Sequence, residues 1–200
     1  EVKFNDSRVQ GEKKVYLVLN KPKGYVTSLD DPHAGKTVME LVQGACTERI
    51  YPVGRLDKNS LGLLLFTNDG DFAHRLLHPS HQVDKVYLVT VRGDIRGAAE
   101  RLMAITELDG EPIAPARAQE LSRHEGQALL RVTIHQGKNR QIRRMCEYCG
   151  YKVVKLKRVR IMNIELGSLK KGKYRRVTAE EWTELNRRIL NSSNTTVMPK

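Results

Sequence analysis

Residues 51–79 read YPVGRLDKNSLGLLLFTNDGDFAHRLLHP. The apolar run LGLLLF at 61–66 gives way to the polar turn residues TNDG, which marks a buried strand and its end. Phe72, Leu76 and Leu77 then fall at helical spacing until Pro79 stops the run, so the order is strand, turn, helix.

The same pattern extends in both directions. Upstream, KKVYLVLNKPKG at 13–24 holds an apolar strand from Val15 to Leu19 ended by Asn20, Lys21, Pro22 and Gly24. Thr37 with Glu40 forms a capping-box pattern for a short helix, TVMELVQG. Downstream, KVYLVTVRG at 85–93 and QALLRVTIHQG at 127–137 alternate as strands, and between them GAAERLMAITEL at 97–108 reads as a helix with Leu102 and Ile105 inward. NRQIRRMCEYCG at 139–150 places Ile142, Met145 and Cys149 on one helical face with Gly150 as its stop. YKVVKLKRVRIMNIEL follows as one or two strands. A last helix spans 179–190, boxed by Thr178 and Glu181 and anchored by Trp182, Leu185 and Ile189. Elements are mixed without strict βαβ order and no repeat is evident, so the expected class is α+β, a mixed, largely antiparallel central sheet flanked by helices. The expected division is a polar linker over 1–14, one domain over 15–190 and a flexible tail over 191–200.

Composition narrows the function. Of 200 residues, 35 are Lys or Arg and 23 Asp or Glu, a net +12 with pI near 9.8, which favours a polyanionic partner without choosing among RNA, DNA and anionic membrane. No secretory segment or apolar run of transmembrane length occurs, and three cysteines form no disulfide framework, so a cytoplasmic protein is expected. Between 131 and 160 the chain carries Arg131, Lys138, Arg140, Arg143, Arg144, Lys152, Lys155, Lys157, Arg158 and Arg160 against the single acid Glu147.

Three segments could carry chemistry. Arg55 and Asp57 stand just before the buried strand; on spacing alone such a pair is a surface ion pair worth ~0–1 kcal/mol, and on a rigid element it also suits a catalytic group. Lys138, Arg140, Arg143 and Arg144 crowd the first turn of a helix, where cations oppose the helix dipole unless phosphates or a carboxylate neutralise them. Tyr87, one alternation from Lys85, shares its side of the strand, a position that packing alone also explains. The lone CxxC of Cys146 and Cys149 lacks further zinc ligands, and His74, His78 and His81 cluster at a helix end where capping is common. No phosphate-binding glycine loop is present, so neither a metal nor a nucleotide cofactor is expected.

Together LNKPKGYVTS, YPVGRLDKNSLGLLLFTNDGDFAHRLLHPS, KVYLVTVRG and GKNRQIRRMCEYCGYKVVKLKRVRI resemble, over about residues 13–180, the bacterial ribosomal RNA pseudouridine synthases. The group comprises small-subunit synthase A and large-subunit synthases B, E and F, with synthase B the preferred type. GRLD before a glycine-containing apolar strand, with RQIRRM later, is the most specific part. The resemblance implies the pseudouridine synthase fold, conversion of a uridine in ribosomal RNA or a ribosomal subunit precursor, and no small-molecule cofactor. It implies that Asp57 is the essential carboxylate, that Tyr87 stacks on the target base, that Arg143 forms a buried ion pair with Asp57, and that Arg55 reaches into the RNA where the uridine is extracted. Lys21, Lys138, Asn139, Arg140, Gln141, Arg144, Lys157, Arg158 and Arg160 are the expected RNA contacts, and a monomer is expected. Relatives usually begin with an S4-type RNA-binding module, for which the residues before Val15 are too few. Two other classes compete: a non-catalytic RNA-binding or assembly protein, and a nuclease using Asp57 with Asp69 or Asp71 to hold a metal.

Overall fold

The two apolar runs either side of the GRLD loop pair with each other inside the sheet. In a computed structural model, which describes residues 12–29, 35–138 and 140–197 with side chains as far as residue 190, β1 (Tyr16–Lys21) runs antiparallel to β3 (Leu61–Thr67), Leu17 opposite Phe66 and Leu19 opposite Leu64. Both strands are apolar along nearly their whole length because both faces are covered. Leu17, Leu19, Leu64 and Phe66 enter one core, and Val18, Leu63 and Leu65 enter the other.

The sheet continues outward from this pair. Beyond β1 lies β11 (Tyr174–Arg176); beyond β3 come β9 (Lys152–Ile161), β4 (Lys85–Arg92), β8 (Gln127–Ile134) and β7 (Arg117–His124). Short β2 (Tyr51–Val53) adds to β3 and β10 (Ile164–Glu165) to β9, while β5 (Glu107–Leu108) and β6 (Glu111–Pro112) form a separate hairpin. Among these strands β3–β9 is the one parallel pairing, Leu61 beside Lys157 and Gly62 beside Arg158. The expected mixed, largely antiparallel sheet is what the chain forms.

Helices cover each face. A 3-10 helix (Val38–Val42), α2 (Ala98–Met103) and α3 (Gln141–Tyr148) bury Val38, Val42, Leu102, Ile142 and Met145 on the first face. On the second, α1 (Gly70–Leu77) and α4 (Ala179–Val197) bury Phe72, Leu76, Leu185 and Ile189. Trp182 stacks on Tyr16 at 4.4 Å and meets Phe72 edge-on at 5.0 Å, which fastens α4 over α1.

Several details depart from the sequence reading. The strand β7 is unanticipated because its residues are polar and nearly all exposed, an edge strand with no buried period to read. The helix expected over 97–108 stops at Met103, and Glu107 and Leu108 turn into a hairpin strand. Cys149 packs half-buried against the core of Ile142 and Met145 as its spacing implied, and Cys146, fully buried, joins them there unanticipated. Helix α4 does not end at Leu190 but runs on to Val197, into the stretch read as a tail. Most of the 1–14 linker reading and Asn139 lie outside the described residues.

Candidate active site

The GRLD loop between β2 and β3 is pinned by its neighbours. Thr27 Oγ1 donates to the Leu56 carbonyl (2.8 Å) and accepts from the Leu56 amide (3.1 Å). The Ser60 amide donates to the Asp57 carbonyl (2.9 Å) and the Gly24 amide to that of Lys58 (2.8 Å). Lys21, with no exposed surface, donates its ammonium to the carbonyls of Pro22, Lys58 and Ser60 at 3.1, 3.2 and 2.7 Å. Burial pushes its pKa down to about 8, with Arg143 adding to the shift and Asp57 opposing it. The expectation that Lys21 contacts RNA is therefore corrected: all three of its donors are taken up in holding the loop.

Asp57 receives two guanidinium groups. Arg140 Nη1 lies 3.2 Å and Arg143 Nε 3.6 Å from its Oδ2, and Arg143 Nη2 donates to Ser60 Oγ at 3.1 Å. The two arginines, three apart at the start of α3, fall on the same side. The crowding of cations at a helix N-terminus thus meets a carboxylate. Arg143 is the inner partner, its side chain 13% exposed against 48% for Arg140. Burial and then Arg140 lower the pKa of Arg143 while Asp57 raises it, and a guanidinium stays charged throughout. The pair expected to be buried is partly so, since the Asp57 side chain keeps 32% of its surface.

That exposed edge faces a cavity of about 250 Å³. Apolar walls come from Leu56, Tyr87, Ile134, Ile142, Leu156 and Ile161; Arg55, Lys85, Gln136, Lys138, Gln141 and Arg158 supply polar groups. Arg158, 4% exposed, donates through Nε to the Leu63 carbonyl (2.9 Å) and through Nη1 to the Tyr87 hydroxyl (3.5 Å), and its buried Nη2 has no partner among the described residues. The Gln141 amide oxygen is likewise buried and unpaired. Burial, and next Arg158, bring the Lys85 pKa down to about 8, so its charge is kept at pH 7 and lost as pH rises through that value. An aromatic face, an unpaired donor and an unpaired acceptor suit a flat ring that hydrogen-bonds at its edges.

The structure thus brings Arg55, Asp57, Tyr87, Lys138, Gln141 and Arg158 to one cavity, with Arg140 and Arg143 reaching it through Asp57. It places others elsewhere. Arg144 pairs with Asp109 at 2.8 Å. Lys157 alternates to the sheet face opposite Leu156 and Arg158. A bulge between Tyr87 and Val86 inserts Val159, so that Ile161 rather than Arg160 lines the cavity, and Arg160 joins His81, Gln82 and Asp84 in another cleft. The basic stretch 131–160 is split in the same way: six residues of strand put Lys152 roughly 20 Å from Arg158. Ser60, Thr27 and Gln136 were missed; their side chains carry no signal in the sequence, although the shared alternation of Lys85 and Tyr87 did point to Lys85.

The acids of the nuclease reading are employed otherwise. Asp69 caps α1, accepting from the Phe72 amide (3.1 Å) and from the Tyr16 hydroxyl (2.6 Å), and exposed Asp71 lies in the first turn of α1. Neither lines the cavity with Asp57.

Comparison with known proteins gives a consistent picture. The RNA pseudouridylate synthase family pattern matches residues 15–148. Ribosomal large subunit pseudouridine synthase B of Bacillus subtilis is 38% identical over 184 residues, 90% of this chain and 75% of the relative. The dual-specificity RNA pseudouridine synthase RluF of Escherichia coli is 38% identical across 100% of this chain and 67% of its own length. A crystal structure of a pseudouridylate synthase superposes with a TM-score of 0.78 at 33% identity, covering 87% of this chain and 74% of that one.

Proposed function

The chain belongs to the RNA pseudouridylate synthase family, and from that premise we propose that it isomerises a uridine of large-subunit ribosomal RNA with Asp57 as its catalytic carboxylate. It is an isomerase, and the reaction breaks the bond from N1 of uracil to ribose C1′, turns the base, joins C5 to C1′ and releases the C5 proton, while N1 takes up a proton. The observation that carries the assignment is that Asp57, its side chain still partly exposed, and Tyr87 line one cavity.

One carboxylate suffices because the leaving base stays bound and no water has to be activated, unlike hydrolysis of a glycosidic bond. Attack on C1′ and removal of a ribose proton both call for a carboxylate at this place. The apolar walls keep water from the intermediate. A base inside folded RNA must be extruded; Tyr87 offers it a stacking face, and Arg55, exposed at the rim, reaches toward the gap left behind. The proposal extends to a monomer that acts on its RNA in the cytoplasm. Among the described residues no helix is long and apolar enough to cross a membrane.

Two variants probe these roles. Arg143→Ala leaves Asp57 with its outer partner only and is expected to cost about 10²–10³ in kcat, with Arg143→Lys recovering part of it, as read in single-turnover kinetics. Tyr87→Leu removes stacking worth ~1–3 kcal/mol, so kcat/KM should fall roughly 5- to 150-fold, whereas Tyr87→Phe keeps most of the activity. The substrate is tested by incubating the protein with separated large- and small-subunit ribosomal RNA and mapping pseudouridine. A single new site in large-subunit RNA is expected; modification of small-subunit RNA alone would overturn the subunit assignment, and RNA binding without any product would favour a non-catalytic assembly role.

A further inference from the structure

Residues 168–176, SLKKGKYRR, hold five Lys or Arg and no acid, and they take no part in the cavity. Arg175 is occupied by Glu181, at 2.8 and 2.9 Å, tying β11 to α4. Lys170, Lys171 and Lys173 are exposed and make no ion pair among the described residues. One acid, Glu165, lines the same cleft as Lys170 and Lys173 without pairing to either.

A run of lysines is ordinarily a solvated face, and what sets this one apart is its attachment. The Asn20 amide donates to the Lys173 carbonyl (2.9 Å), the Gly172 amide to the Asn20 carbonyl (2.8 Å) and Asn20 Nδ2 to the Leu169 carbonyl (2.8 Å). Asn20 precedes Lys21, whose ammonium grips the carbonyls of Lys58 and Ser60 beside Asp57. The lysine turn is thus fastened to the catalytic loop through two consecutive residues, at the same end of the sheet as the start of β3. Lys58, within that loop, is exposed, as is Lys23, whose neighbour Gly24 donates its amide to the Lys58 carbonyl. Two inter-strand spacings, roughly 10 Å, separate β11 from β3, about the length of three nucleotide rises of ~3.4 Å. Like charges held together this rigidly repel one another unless an anion is brought to them.

We propose that the turn formed by Lys170, Lys171 and Lys173, with Lys23 and Lys58, is a second RNA contact that takes backbone phosphates of the strand flanking the extruded uridine. The inference rests on the reading that the cavity receives a uridine of RNA. It gives the chain a phosphate track on the β1–β11 side of the catalytic loop, opposite the α3 side on which Lys138 and Arg140 stand.

The test compares K170Q/K173Q with K152Q/K155Q in the full chain, because the two variants lose equal charge and only the first lies on the proposed track. Pseudouridine formation on ribosomal RNA and RNA binding are followed from 50 to 300 mM salt. K170Q/K173Q is expected to raise KM about tenfold near 150 mM salt with kcat kept, and to make the slope of log affinity against log salt shallower by about 1.4, or ~0.7 per single-strand phosphate lost. K152Q/K155Q is expected to change neither. Unchanged KM and slope in K170Q/K173Q, or an equal change in K152Q/K155Q, would overturn the proposal. Should the wild type bind RNA and yield no pseudouridine while the slope still falls in K170Q/K173Q alone, the catalytic reading fails and the phosphate track stands.

Discussion

Asp57→Asn is expected to fold, bind RNA and lose turnover by a factor on the order of 10⁴ or more. The amide is nearly the shape of the carboxylate and can still accept from Arg140, so the loop should keep its place. The Thr27, Lys21 and Ser60 contacts that hold the loop use the backbone of Leu56, Asp57, Lys58 and Ser60 and do not involve the altered group. On the proposed mechanism, what would disappear is the negative charge beside C1′, and with it either nucleophile or base. Thermal unfolding within a few degrees of wild type, unchanged RNA affinity and no pseudouridine in single-turnover mapping form the expected set of results. Wild-type rates would remove Asp57 from the chemistry.

Gly62→Ala should have the largest effect on stability. Gly62 has φ of +104°, and a Cβ there would stand 2.1 Å from the Arg158 carbonyl oxygen and 2.8 Å from its amide nitrogen. Those atoms belong to the backbone of β9 at its parallel contact with β3 and cannot swing aside. Backbone strain and forced separation of the strands, ~1–3 kcal/mol each, give a cost of about 3 kcal/mol or more. For a chain of this size that lowers Tm by roughly 10 °C. Because Arg158 also lines the cavity, activity should fall further than the loss of folded protein explains. A Tm within about 2 °C of wild type would mean that β3 and β9 part easily there.

This glycine illustrates what was legible in advance. It stood in the sequence as part of a specific motif, GRLD followed by a glycine-containing apolar strand, but the reason for it lies in another strand 96 residues on, Arg158 against Gly62. The strands β4 and β8 were readable because burial writes a period into them, and β1 and β3 because burial on both faces leaves a continuous apolar run ended by turn residues. The strand β7 was not, because an exposed edge leaves the side chains free of any period. Asp57, Tyr87 and Arg143 were reached through the resemblance, since an Arg-x-Asp or a strand tyrosine alone reads as a surface pair or as packing. Arg140 was placed on the RNA, and its ion pair with Asp57 needed the fold that sets α3 beside the loop. Lys21 was misplaced because lysine is seldom fully buried; here the three carbonyls of a tight loop replace water around it.

Central to the proposed function is that Asp57 drives isomerisation of a uridine without help from a bound metal. The direct measurement is tritium release from ribosomal RNA labelled at uridine C5, with wild-type protein and Asp57→Asn side by side in excess chelator. Release by the wild type alone is the predicted result, since forming the C5–C1′ bond expels that hydrogen. Release that stops when chelator is added, or that continues in Asp57→Asn, would contradict it.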